Sequence, residues 1–318
     1  MKILLTGAAG FIGSHVAEAL LARNDTVVGV DNFNDYYSPA RKRANVAPLL
    51  SKTNFTLHET DIRDRDEIER ICAQGGFDAV LHLAALAGVR SSITNGPLYA
   101  EVNVLGTVNL LEAARNAGTP HFVFASTSSV YGRSTRIPFR EDDPLGHPLA
   151  PYPATKIAGE VMGHAYHNLF AISFTALRFF SVYGPRGRPD MMPYHITDCI
   201  VKEREFTLYE GGQMHRDWTY IDDIVAGILA ALDRPRGYQV VNLGRGEPVL
   251  MADFVRLAER LVGKPARVAT APAPPSEPPI TYADVTRARD LLDYHPRVSV
   301  DEGMQRFWEW YKSEVLAQ

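Results

Sequence analysis

The sequence predicts an α/β protein: a Rossmann-type doubly wound parallel sheet with a smaller mixed α/β part after it. Three observations predict it. Apolar runs alternate with helical periodicity, a glycine-spaced turn joins the first run to the first helix, and an acid closes the second run. Strand-like runs at 1–6, 26–31, 54–58, 78–83, 121–125 and 172–178 are separated by helical patterns at 14–23, 65–73, 99–117 and 152–169. Such βα alternation makes parallel strands, and it gathers ligands at their carboxyl ends.

The first turn is Gly7-Ala8-Ala9-Gly10-Phe11-Ile12-Gly13. A buried strand must turn sharply into a helix here, and glycine lets backbone lie close to a bulky anion. The helix N-terminus adds free N–H groups and partial positive charge, which suits a pyrophosphate. Asp31 closes the second strand at the distance where a carboxylate meets an adenosine ribose. Taken together these imply a dinucleotide site, the alternative being an ordinary tight turn with a solvated Asp31. An acid there repels a 2′-phosphate, so NAD is expected over NADP.

The chain has 318 residues, 46% hydrophobic and 22% charged, as expected of a soluble globular protein. Its net charge of -4 and lack of any Lys/Arg run argue against nucleic acid as a partner. The two cysteines, Cys72 and Cys199, have neither metal spacing nor a disulfide framework, which suits a reducing compartment. The apolar start is broken by Gly7, so it reads as a first strand rather than a signal peptide. No apolar run reaches the length of a membrane span. The expected location is the cytoplasm.

After residue 180 the rhythm loosens. A loop at 183–190, a strand at 239–243 and helices near 252–262, 285–292 and 301–315 follow, and Ala271 to Pro279 holds five prolines. The expected division is 1–180 for the dinucleotide and 181–318 for a substrate, with part of 217–245 returning to the first part.

Tyr152-Pro153-Ala154-Thr155-Lys156 puts a phenol and an ammonium on one helix face. A nearby cation favours the phenolate, so Lys156 is expected to lower the Tyr152 pKa toward what a base needs. Ser126-Thr127-Ser128-Ser129 follows the fifth strand and should face the cofactor. Thr127 could hydrogen-bond a reacting oxygen. No His/Asp/Glu cluster has metal-ligand spacing, so His15 and His82 read as packed or locally hydrogen-bonded residues and no metal is expected.

With these motifs the chain resembles the extended short-chain dehydrogenases/reductases, and within them the nucleotide-sugar epimerases. The resemblance covers almost the whole chain: the glycine turn, Asp31-Asn32, Asp61-Ile62-Arg63-Asp64, His82-Leu83-Ala84-Ala85, Asn103, Ser126–Ser129, Tyr152/Lys156 and Arg216-Asp217-Trp218-Thr219-Tyr220. It implies that Asp61 and Ile62 flank an adenine, that Leu83, Ala84 and Ala85 line the cofactor, and that Lys156 holds the nicotinamide ribose. Phe11, Ile12, Asn32, Ala87, Asn103, Ser126 and Phe179 are implied around the same NAD. Tyr152, Lys156 and Thr127 are the implied catalytic set, and Arg216 the contact to a sugar nucleotide near its phosphates.

Dehydratases and decarboxylases of this superfamily carry an acid in the two positions after the catalytic threonine. Here those are Ser128 and Ser129, which implies plain epimerisation. The segments 33–39, 87–93 and 187–191 resemble the UDP-glucuronate 4-epimerases, and Ser181 stands where galactose-type enzymes carry asparagine. A C5 carboxylate needs donors, and Thr127, Ser128 and Ser129 with Arg90 or Arg188 would supply them, each arginine having a structural ion pair as its alternative. Val89 is implied beside the substrate. The chain departs from the family at Ser276-Glu277, where Gly-Asp is usual, and the longer acid has a different reach toward a uridine ribose. Trp218 replaces a phenylalanine or tyrosine, read as a packing change, and Thr281 aligns with a position that gates sugar size. The expected activity is 4-epimerisation of UDP-glucuronate. The alternatives are UDP-glucose/UDP-galactose 4-epimerisation, a net NAD-dependent oxidoreductase or decarboxylase, and a non-catalytic nucleotide-binding regulator. The stripe Val104/Leu105/Val108/Leu111 reads first as buried, with part of it between subunits, because the family dimerises through the helices at 99–117 and 152–169.

Overall fold

Six apolar runs become the first six strands: β1 (Lys2–Thr6), β2 (Thr26–Asp31), β3 (Phe55–Glu59), β4 (Ala79–His82), β5 (His121–Thr127) and β6 (Ser173–Phe179). The computed structural model describes residues 1–145 and 147–317. The later strands are β7 (Ser181–Tyr183), β8 (Glu205–Tyr209), β9 (His215–Tyr220), β10 (Tyr238–Leu243), β11 (Pro248–Leu250) and β12 (Arg267–Ala271). One seven-stranded sheet runs β3-β2-β1-β4-β5-β6-β10, parallel throughout. The strand order reverses at β1, and a crevice opens there at the carboxyl edge. The register brings Thr6 beside Val30 and His82, and Thr127 beside Phe179, so the polar strand ends share one edge.

Near-continuous apolar strands need cover on both faces. The helices Phe11–Ala22 and Ile221–Asp233 pack together on one face, while Arg65–Ala73, Gly106–Asn116 and Pro151–Phe170 cover the other. The remaining strands form a three-stranded sheet, β11-β9-β7, and a pair, β12-β8. No helix of the described residues is long and apolar enough to cross a membrane.

The sequence reading differs from the structure at several elements. The pattern at 99–117 is not one α-helix: Gly96–Ala100 and Gly106–Asn116 flank a wide π-helical turn at Glu101–Leu105. The Thr107 hydroxyl donates to the Asn103 carbonyl at 2.6 Å within this region. Of the stripe read as buried, Leu111 is buried, Val104 and Val108 are half-buried, and Leu105 is 50% exposed. The helices Met192–Val201 and Ile221–Asp233 carry no clear sequence signal. Pro193 opens the first, and the second is too apolar along 224–232 for a single face to stand out. His15 and His82 are locally bonded: His15 Nε2 lies 3.0 Å from the Pro185 carbonyl, and His82 bridges the Thr6 and Thr107 hydroxyls at 2.7 and 3.0 Å.

One buried ion pair fixes the helix that bears Tyr152. Arg178 on β6 donates to Glu160 from Nε at 2.9 Å and from Nη2 at 2.7 Å. The Ser126 hydroxyl at the end of β5 donates to the same carboxylate at 2.5 Å. Arg178 Nη1 donates to the Tyr131 hydroxyl at 3.0 Å, which donates to Asn242 on β10 at 2.7 Å. Both ions are almost wholly buried, so losing one partner strands a charge. Arg178→Met is expected to cost about 3–5 kcal/mol in urea unfolding, and adding Glu160→Leu should recover much of that. A loss below about 1 kcal/mol for the single variant would count against this role.

Candidate active site

The carboxyl edge of the large sheet opens into one cavity of about 730 Å³. Its inner wall is the turn after β1. Gly7 has φ +71°, and a Cβ there would lie 2.8 Å from the Ala84 amide nitrogen. A Cβ on Gly13 would meet the Gly7 carbonyl at 1.9 Å, so the helix can start this close to the turn only without a side chain. The helix Phe11–Ala22 has no side-chain cap and no acid in its first turn. Its leading amides are therefore left for an anion from outside, and the turn fits the pyrophosphate of a dinucleotide.

Asp31 lines this wall and also braces it. Its carboxylate accepts from the Ala9 amide at 3.0 Å and the Phe33 amide at 2.9 Å. Burial raises its pKa, against those amides and the Lys42 ammonium. At Asp61 burial acts the same way, but hydrogen bonds from Arg63 and Asn32 outweigh it and hold the carboxyl below its ordinary range. An adenosine between these acids would find acceptors for its hydroxyls.

Tyr152 and Lys156 both line the cavity, but the expectation that the ammonium makes the phenol acidic fails here. Burial pushes the Tyr152 pKa above its ordinary 10, and the charge that works against burial is the Arg188 guanidinium, helped by a hydrogen bond with Thr127. Lys156 Nζ instead donates to the Ala125 carbonyl at 2.8 Å and lies 4.8 Å from the centre of the Phe124 ring. Burial pulls its pKa down to about 7, opposed by Glu160 one turn along the helix. The sequence reading chose the cation by helical spacing. Spacing gives the shared face but not what each head group finds there.

The two candidate arginines occupy different places. Arg188 neighbours Tyr152 and binds Asp190 through Nε at 2.9 Å and Nη2 at 2.6 Å. Its Nη1 has no hydrogen-bond partner among the described residues. The Tyr36 hydroxyl donates to Asp190 at 3.2 Å and lies 3.1 Å from the Ser91 hydroxyl. Arg90 instead joins Arg216 around Glu277. It gives Nε and Nη2 to Glu277 Oε1 at 3.1 and 2.9 Å, while Arg216 gives Nη2 to Oε2 at 2.9 Å. Both arginines thus have the ion pair that was their alternative reading.

The cavity wall includes Gly7, Gly10, Phe11, Ile12, Gly13, Asp31, Asn32, Asp61 and Ile62. It also includes Leu83, Ala84, Ala85, Ala87, Ser126, Tyr152, Lys156 and Phe179, and on the outer side Val89, Arg90, Thr127, Ser128, Ser129, Ser181, Arg188, Arg216, Glu277 and Thr281. Asn103 is the exception. It is 1% exposed and lies behind the wall, where its amide accepts from the Leu86 amide at 2.8 Å and donates to the Leu86 carbonyl and Thr155 hydroxyl at 2.9 and 3.0 Å. It ties the segment at Leu86 to the helix of Tyr152. Thr281 also braces backbone, its hydroxyl accepting from the Asp217 amide at 3.2 Å.

The sequence reading missed Tyr36, Asp190 and Glu160 as parts of the site. Glu160 lies four residues beyond Lys156, and Asp190 two beyond Arg188, so local spacing held both signals. Trp218 packs against Tyr183 and Phe254, as a packing change would have it, and also belongs to the cavity wall. Its buried indole N–H and the buried Ser276 hydroxyl have no hydrogen-bond partner among the described residues.

This chain is 42% identical to UDP-glucuronate 4-epimerase 4 of Arabidopsis thaliana, over 98% of this chain and 76% of that one. It is 39% identical to a UDP-glucuronate 4-epimerase of Thermodesulfobacterium geofontis, over 98% and 96% of the two chains. Among solved structures it is similar to UDP-glucuronic acid 4-epimerase from Bacillus cereus in complex with UDP-glucuronic acid and NAD, with a TM-score of 0.93, 37% identity, and coverage of 98% and 99%. Residues 3–244 match the model of the NAD dependent epimerase/dehydratase family, and the chain belongs to that family.

Proposed function

We propose that this chain inverts C4 of a UDP-sugar with NAD as its resident cofactor, and that UDP-glucuronate and UDP-galacturonate are its substrate pair. One observation carries the choice of a uronate. Arg188 stands beside Tyr152 with an Nη1 that has no partner among the described residues, and it lines the cavity with Thr127, Ser128 and Ser129. That donor set suits a C5 carboxylate next to a reacting C4 hydroxyl. The similarity to UDP-glucuronate 4-epimerases supports the same reading.

NAD, when bound, supplies reversible storage of a hydride, which inversion through a 4-keto sugar needs. The turn Gly7–Gly13 and the amides after it would hold its pyrophosphate, Asp31 its adenosine ribose, and Lys156 the ribose near the reacting centre. Tyr152 takes the proton of the C4 hydroxyl and gives it back after the keto sugar has turned over, with Thr127 bonding the same oxygen. Arg188 and the serine hydroxyls hold the carboxylate so that its C–C bond lies away from the plane that assists loss of CO2. Residues 1–180, with part of 217–245, would serve the cofactor and the rest of 181–318 the nucleotide sugar, in the cytoplasm.

Two copies would pair through the helices at 99–117 and 152–169. Leu105, Val161 and Leu169 are 50%, 63% and 68% exposed there, and Leu98 lies seven residues before Leu105 at 40%. Apolar side chains this open on neighbouring helices suit a second copy.

Incubation with UDP-glucuronate is expected to give UDP-galacturonate with no net absorbance change at about 340 nm, as cofactor regeneration within each cycle requires. A 4-keto pentose as the main product would overturn the carboxylate arrangement. Arg188→Gln should weaken KM for UDP-glucuronate by about ten- to a hundredfold, the worth of a charged hydrogen bond, and leave UDP-glucose binding nearly unchanged.

Because burial holds Tyr152 above its ordinary pKa, the phenolate forms only as pH rises, and kcat should climb with pH. Arg188→Gln removes the charge that opposes burial, so the rising limb should move to higher pH. A limb that stays in place would put the acidity of the phenol under other control. For the pairing of copies, Val161→Glu combined with Leu169→Glu should shift the particle to a single-chain mass in light scattering. Retention of the dimer mass would exclude this face.

A further inference from the structure

Glu277 is held from two sides. Arg90, on the helix Val89–Thr94, and Arg216, on β9, both point their guanidinium groups at its carboxylate, at 2.9 Å each at the closest. The arginines come from distant parts of the chain, 187 residues from Glu277 in one case and 61 in the other. The segment bearing Glu277 holds five prolines between Ala271 and Pro279, so its backbone is stiff and the acid is presented rather than merely tolerated. Arg216 has only 11% of its side chain exposed and Glu277 18%, so this is no solvated surface pair, although Arg90 is 53% exposed. Ser276 beside it is buried and also belongs to the cavity wall.

Two guanidinium groups and one carboxylate sum to a single positive charge. A nucleoside diphosphate brings about two negative charges and oxygens that match both forks better than one carboxylate can. We propose that Glu277 is a built-in stand-in for the diphosphate: it latches Arg90 to Arg216, and the nucleotide must displace it to bind. The proposal rests on the reading of this site as a UDP-sugar site, and it concerns regulation of affinity within it. The latch keeps two like charges at fixed positions without ligand, and it lowers affinity by the work of breaking the Arg–Glu contacts. An aspartate, one methylene shorter, would not span both arginines from the same backbone position.

The test is titration calorimetry of the full chain with UDP and, separately, with uridine, which lacks the phosphates. Wild type should bind UDP. Failure there would sink the UDP-sugar reading and not the latch alone. In Glu277→Gln, UDP should bind about five- to tenfold more tightly, the worth of a partly exposed ion pair, while uridine stays within about twofold. Glu277→Asp, which keeps the charge, should tighten UDP by less. If UDP and uridine both weaken in Glu277→Gln, the acid serves the ribose and the latch is wrong. UDP affinity unchanged in both variants would overturn it equally.

Discussion

The Glu160–Arg178 ion pair is the contact from which the chemistry of the cavity is built outward. Its carboxylate receives the Ser126 hydroxyl from the end of β5 and faces Lys156 one turn back on its own helix. Arg178 reaches on to Tyr131 and Asn242, so one charge pair locks β5, β6, β10 and the helix Pro151–Phe170 together. Burying two ions is costly, and such a pair is weak evidence for stability as such. What it does here is positional. It fixes the helix that carries Tyr152 and Lys156 against the strand end that carries Thr127, and it supplies the negative charge that offsets the burial of Lys156.

Burial then sets the direction of both titrations. It raises the phenol of Tyr152 and lowers the ammonium of Lys156, so each group leans toward its neutral form. A phenol and an ammonium poised in this way suit proton transfer only if charge arrives from elsewhere. Arg188 supplies part of it from the outer wall, and the Thr127 hydroxyl adds a hydrogen bond. The cationic ring of an NAD-type cofactor would add more.

The succession of the first six strands, the glycine turn and the pair Tyr152/Lys156 were legible in the sequence because each is a local pattern with a single physical cause. Glycine at positions 7 and 13 is demanded by distances of a few ångströms, and an apolar run needs two covered faces wherever it lies. The partner of each charge was not legible. Nothing at Lys156 says that its ammonium turns to the Ala125 carbonyl, and nothing at Arg90 says that residue 277 will meet it. Asn103 shows the same limit: nothing at its position says that its amide will bond Leu86 and Thr155. The π-helical turn at Glu101–Leu105 was hidden because a single inserted residue shifts a helical pattern without erasing it.

Each arginine of the outer wall is met by an acid of the chain itself: Asp190 holds Arg188, and Glu277 holds Arg90 with Arg216. The geometry differs between them, and the difference matters. Asp190 takes Arg188 by Nε and Nη2 and leaves Nη1 free, so it can stay in place and aim the fork while another carboxylate binds. Glu277 takes donors from both of its arginines, so an incoming dianion competes with it directly. One acid orients and the other is exchanged. For the diphosphate and sugar carboxylate proposed above, that division holds the cations in place and leaves a site for each charge to land.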